Sequence, residues 1–169
     1  MNLRGPAVPS FFLCILITKE QILELAFEHL KSTDKFVTHC TVLPGNHIEI
    51  LIDGDTPVLI SECVNLSRFI EKRFDREKED FSLEVSSHGA TNPLVNVRQY
   101  KKHIGKNLEI KLLDGNKEEG ELTEIEESGI VIKYKLREKK PVGKGKITVE
   151  KTQSIPFNQI KETKIKLKF

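Results

Sequence analysis

The chain has 169 residues, 38% apolar and 31% charged, with no Trp: enough for one domain or two small ones with modest aliphatic cores. Its net charge of +2 averages two unlike halves: residues 1–86 carry 9 Lys/Arg against 14 Asp/Glu, net −5, and residues 87–169 carry 18 against 11, net +7. No apolar run approaches the roughly 18 residues of a membrane span, and three scattered cysteines, Cys14, Cys40 and Cys63, exclude a disulfide framework and point to a reducing compartment.

Residues 1–17 read as an N-terminal extension. Their apolar run, 11–17, lacks a small-residue cleavage site and leads straight into a helix start, so it is not read as a secretion signal. Thr18-Lys19-Glu20-Gln21 has the form of a capping box, followed by Ile22, Leu25, Ala26 and Leu30 at helical spacing. Residues 36–43 and 47–53 predict two strands joined by a Pro-Gly-Asn turn, with Ile48, Ile50 and Ile52 on one face. Asp53-Gly54-Asp55-Thr56-Pro57 reads as a solvated loop. A calcium loop starting at Asp53 would need a glutamate where Val64 stands. Residues 60–74 predict a second helix and 81–86 a third strand, alternating Phe81, Leu83 and Val85 against Ser82, Glu84 and Ser86. The order α-β-β-α-β predicts two helices on one face of a three-stranded sheet.

Residues 87–96, rich in turn formers, predict a linker, and the change in charge falls at the same place. Asn96 can cap a short helix over 97–103 that Gly105 stops. Strands are then predicted over 107–113, 120–126, 130–136, 147–155 and 160–167, with a tight turn at 156–159 and a basic Gly/Pro-containing loop over 137–146. Five short strands with a single turn before the fifth suit a small SH3-like barrel. The expected fold is α+β: an α/β domain over 18–86 and a barrel domain over 97–169.

No catalytic set assembles. Ser86, Ser87 and His88 adjoin, but a Ser–His pair works through spatial geometry with an orienting acid, so a polar inter-domain turn is the simpler reading. His39, Cys40 and His47 share a hairpin, yet His39 and Cys40 face opposite ways and no fourth ligand can be named, so no metal site is expected. No cofactor-binding motif is present: the Gly/Lys run at 142–146 lacks the phosphate-loop spacing. The informative feature is basic. Lys133, Lys135, Arg137, Lys139, Lys140, Lys144, Lys146 and Lys151 stand against Glu138 and Glu150, a density able to track a phosphate backbone. Lys164, Lys166 and Lys168 alternate along the last predicted strand, with Lys161 at its start. The residues alone thus indicate a two-domain, cytosolic, non-enzymatic protein whose basic domain binds RNA or an RNA-rich particle.

Residues 83–94, L-E-V-S-S-H-G-A-T-N-P-L, resemble the L-E-V-S-S-P-G-x-x-x-P-L signature of the RimP family of ribosome maturation factors. Leu83, Glu84, Val85, Ser86, Ser87, Gly89, Pro93 and Leu94 match. His88 stands where the family usually has proline, and Asn92 where it often has arginine. Ile52-Asp53, the run from Cys63 to Ser67-Arg68, Ile104-Gly105-Lys106 and Ile155-Pro156-Phe157 extend the resemblance over about 18–169, except the 137–146 loop. The resemblance implies a cytoplasmic, monomeric factor that aids small-subunit assembly by binding the immature particle. Its barrel would meet a ribosomal protein near the decoding region, beside ribosomal RNA. The rival readings are a general RNA-binding module and, less simply, a small hydrolase using the Ser87–His88 turn.

Overall fold

The computed structural model describes residues 17–75, 80–139 and 146–167. Helix α1 (Lys19–Leu30) starts as its sequence dictates: Thr18 Oγ1 accepts from the Gln21 amide, and the Gln21 side chain accepts from the Thr18 amide. Strands β1 (Lys35–Leu43) and β2 (His47–Gly54) form the expected antiparallel hairpin, with a bulge at Thr38. After helix α2 (Ile60–Glu71), β3 (Ser82–Ser87) pairs parallel to β2, giving the order β1-β2-β3. Both helices cover one face. Ile22, Ala26, Leu66 and Ile70 meet Cys40, Ile48, Ile50 and Ile52 in one core, which also takes in Ile17.

A short helix α3 (Val97–Lys101), capped by Asn96, leads to a second sheet. Its strands are β4 (Asn107–Leu112), β5 (Lys117–Ile125), β6 (Gly129–Lys139), β7 (Lys146–Pro156) and β8 (Ile160–Ile165), in the order β7-β6-β5-β4-β8. Leu108, Ile110, Leu122, Ile130, Ile132 and Ile155 form a second core, with Leu94 and Tyr100 beneath it. The five strands are those the sequence predicts, but they form an open sheet: among the described residues no ladder joins β7 to β8. The sheet nevertheless curls. A flat sheet would hold β7 and β8 about 19 Å apart, four strand spacings. The chain crosses from Pro156 to Ile160 through one 3-10 turn, Phe157–Gln159, a reach of at most about 14 Å.

The predicted 137–146 loop is corrected. Arg137, Glu138 and Lys139 belong to β6 and Lys146 to β7, paired as Arg137↔Thr148, Glu138↔Ile147 and Lys139↔Lys146. Lys140 and Lys144, like residues 1–16 of the N-terminal extension and Lys168, lie outside the described residues. Among the described residues no helix is long and apolar enough to cross a membrane.

Ile50 sits at the centre of the first core, 1% exposed, between both helices and paired to Cys40 and Val85. Ile50→Ala removes three buried carbons and leaves a cavity, so chemical denaturation should show a loss of roughly 2–5 kcal/mol.

Candidate nucleic-acid interface

The β6–β7 pair outruns its sheet. The β5–β6 ladder reaches only Lys133↔Glu121, whereas β6 and β7 stay paired out to Lys139↔Lys146. From Tyr134 onward the two strands therefore form a free-standing ribbon. Successive strand side chains point to opposite faces, so Lys133, Lys135, Arg137 and Lys139 share one face of β6, and the register places Thr152, Glu150, Thr148 and Lys146 beside them. The other face carries Tyr134, Leu136, Val149 and Ile147, with Glu138 and Lys151. The basic cluster is thus a row of cations at every second position.

The row is neutralised at its root and free at its tip. Glu150 takes Lys133 and, at 3.7 Å, Lys135. That contact pushes Lys133 up from its ordinary value and holds Glu150 below the usual carboxylate range. On the opposite face Lys151 pairs with Glu138, which raises Lys151 in turn. Among the described residues no acid lies within ion-pair distance of Arg137, Lys139 or Lys146. Lys139 and Lys146 stand directly opposite each other, a like-charge pair that is unfavourable unless an anion lies over it.

The lysines of β8 behave differently. Lys164 is 2.7 Å from Glu162 and Lys166, just beyond β8, pairs with Glu119, while Lys161 is exposed at the bulge of the β4–β8 ladder. Lys111 and Lys164 together hold Glu162 down at about 2. A groove of about 570 Å³ joins Lys166 to Lys133 and Lys135, but Glu119, Glu121 and Glu150 line it too, so it carries no net positive charge. The longest row of cations without an acid partner among the described residues is therefore at the ribbon tip.

The second group of sequence-singled residues gathers where the two cores meet. Asp53 lies inside the buried run that ends β2, between Ile52 and Gly54, and is 6% exposed, not part of a solvated loop. Its carboxylate accepts from Gln99 Nε2 at 2.7 Å, from Lys102 Nζ and from the Gly54 amide at 2.9 Å. Burial alone would push this carboxyl up. The hydrogen bonds from Lys102, Gln99 and Gly54 outweigh that and hold it below the usual range. Beside it Arg98 forks onto both Asp55 oxygens, at 2.7 and 3.3 Å, and lies 4.5 Å over the Phe36 ring.

His88 is likewise buried rather than part of a polar turn. Its Nε2 donates to the Pro93 carbonyl at 2.8 Å, and its Nδ1 lies 2.9 Å from the hydroxyl of the bulge residue Thr38. Both nitrogens are engaged away from Ser86 and Ser87, so the structure brings no Ser–His pair together. A proline at 88 would lose both side-chain bonds and the bond from the His88 amide to the Ile52 carbonyl. Gly89 follows at φ +71°, a left-handed turn that L side chains rarely adopt. Leu94 is buried in the second core, and its amide donates to Thr163. Gly105 and Lys106 bond to Leu122 at the start of the second sheet. Ser67 and Arg68 lie elsewhere, along a shallow groove between α2 and β3, and Glu84 belongs to β3 at the edge of that groove, on the face of the sheet that Glu49 shares.

Sequence reasoning missed Gln99 and Lys102, which lie 46 and 49 residues from Asp53. The signal for one of them was present, since Gln99 is the third residue after the Asn96 cap and belongs to its capping box.

Residues 40–91 match the family model of the RimP N-terminal domain. The chain is 43% identical over 150 residues to the ribosome maturation factor RimP of Christiangramia forsetii, covering 89% of this chain and 96% of that protein. It is 39% identical over 145 residues to RimP of Flavobacterium psychrophilum, covering 85% and 94%. The chain belongs to the RimP family. RimP of Porphyromonas gingivalis, 38% identical over 128 residues, covers 76% of this chain and 84% of its own length. In this RimP-family chain the signature residues 83–94 run from β3 through the buried His88 to the edge of the second core.

The Asp53 junction should be acid-sensitive. Because the folded-state carboxyl lies below its ordinary value near 3.9, its contribution is complete above about pH 5 and is lost as pH falls through the lowered value. Asp53→Ala should cost roughly 1–3 kcal/mol at pH 7, by stranding Gln99 and Lys102. In urea titrations the gap between variant and wild type should narrow toward pH 3.

Proposed function

We propose that this chain serves maturation of the small ribosomal subunit by binding the immature particle without catalysis, the basic face of its β6–β7 ribbon lying along ribosomal RNA. The observation that carries this reading is the row Lys133, Lys135, Arg137, Lys139 and Lys146 on one ribbon face, with its last three cations free of acids among the described residues. Phosphate contacts of this kind position a partner without selecting sequence. Specific recognition then falls to the curled second sheet, read here as an SH3-like barrel meeting a ribosomal protein near the decoding region. Lys140 and Lys144 add to the positive charge of this stretch of sequence. Lys164, Lys166 and Lys168 are secondary candidates, since Lys164 and Lys166 are already paired.

In this reading the chain is a cytoplasmic monomer of two domains, 18–86 and 97–169, joined by 87–96. Two separate cores support that division, and the bonds of Asp53 and His88 support a stiff connection. A general RNA-binding module shares the ribbon and differs only in its partner. The hydrolase reading has no support in the geometry, because His88 is spent on Thr38 and Pro93.

Reversing Arg137, Lys139 and Lys146 to glutamate should weaken binding to purified small-subunit precursors. It should also flatten the dependence of log affinity on log salt by roughly 2–3, about one for each phosphate no longer neutralised. The melting temperature should hold, since the ribbon tip buries little apolar surface. Wild-type affinity with an unchanged salt slope would remove the ribbon from the interface.

A further inference from the structure

The face of the first sheet turned away from the helices carries a second group of chemistry-bearing side chains. His47 and Glu49 lie two residues apart on β2 and so share that face. The parallel register sets Glu49 directly beside Glu84 of β3, and His47 beside Ser82. The His47 nitrogen and one oxygen of each carboxylate all lie within 4.8 Å of one another. His47 Nδ1 meets the Ser82 hydroxyl, which turns the other ring nitrogen, Nε2, to 3.4 Å from Glu49 Oε1.

Neighbouring carboxylates on adjacent strands repel. Among the described residues no lysine or arginine forms an ion pair with Glu49 or Glu84, and in the tautomer whose Nδ1–H donates to Ser82 the ring nitrogen turned toward them carries a lone pair. A cation relieves both problems. Imidazole with two carboxylates suits zinc-type ions far better than magnesium or calcium, which favour all-oxygen shells. Tetrahedral zinc places neighbouring ligand atoms about 3.3 Å apart, a separation that His47 Nε2 and Glu49 Oε1 already have. The Ser82 hydroxyl supplies the outer bond that orients a ligating imidazole.

We propose that His47 Nε2, Glu49 and Glu84 bind a divalent transition-metal ion of the zinc type, with water completing its shell. The spacing of residues along the chain hides this site. The hairpin trio His39, Cys40 and His47 lacks the true partners, which only the β2–β3 register supplies. Such an ion bridges β2 to β3, the outer strand of this sheet, and stabilises the first core by binding only the folded chain. The site lies on a different core from the ribbon and does not depend on the reading given for it.

The test uses the untagged full chain titrated with zinc chloride, followed by calorimetry and elemental analysis after dialysis. One ion per chain is expected, with a rise in melting temperature and a 15N shift of His47 reporting ligation through Nε2. His47→Ala and Glu84→Gln should each weaken binding at least tenfold and abolish the thermal shift. His39→Ala, on the same face but outside the cluster, should leave both intact. Both test substitutions sit at surface positions, so their melting curves without metal provide the check on folding. Failure of the wild-type chain to take up zinc would overturn the proposal, showing His47 to be only a counter-ion for the two carboxylates. Uptake undiminished in Glu84→Gln would overturn it as well, by placing the ion elsewhere.

Discussion

A single buried carboxylate sets the geometry of this protein. Asp53 lies at the end of the central strand of the first sheet, one residue before Gly54, and besides the Gly54 amide its donors are Gln99 and Lys102, within and just after the short helix that opens the second half. A buried charge left alone is costly, so the folded chain must bring those donors to it. Once they arrive, Arg98 reaches Asp55 and stacks on Phe36, and the His88 ring closes the gap between Thr38 and Pro93. The two cores are thereby held through polar contacts, with Leu94 buried on the far side. Such contacts specify one arrangement, because a different placement would strand several buried polar groups together.

That arrangement gives the ribbon its meaning. A long hairpin projecting from a small sheet buries little apolar surface and contributes little to folding. Its sequence is correspondingly free to serve a partner. On its basic face the acid is kept at the root, where Glu150 takes Lys133 and Lys135, whereas Glu138, near the tip, lies on the opposite face and pairs with Lys151. The Tyr134, Leu136, Val149 and Ile147 strip on the reverse face continues the core side of the sheet outward, so one ribbon offers two chemically distinct surfaces.

Much of this could be read from the residues. The capping box at Thr18, the alternation of Ile48, Ile50 and Ile52, and the five-strand count are local patterns, and local patterns survive folding. Four features were not legible in this way. Asp53 sits in an Asp-Gly-Asp-Thr-Pro run that has the composition of a solvated loop, and only donors far along the chain bury it. His88 follows two serines and precedes a glycine, so it reads as a turn residue, whereas the bulge at Thr38 gives it a buried partner. The charged stretch after Leu136 has none of the apolar alternation that marks a strand, although Lys133, Lys135, Arg137 and Lys139 keep the period of two. Their periodicity is carried by cations instead of hydrophobes. Closure of the barrel depends on edge-to-edge hydrogen bonding, which no strand count predicts.

Membership of the RimP family places the chain in ribosome maturation. The most direct measurement is sedimentation of cell lysate through a sucrose gradient, probed for the protein at low and raised salt. The account predicts that the protein travels with small-subunit precursors at low salt and is released to the top of the gradient as salt rises, with little on mature large subunits. Sedimentation as a free protein at every salt concentration, or association with a different particle, would contradict it.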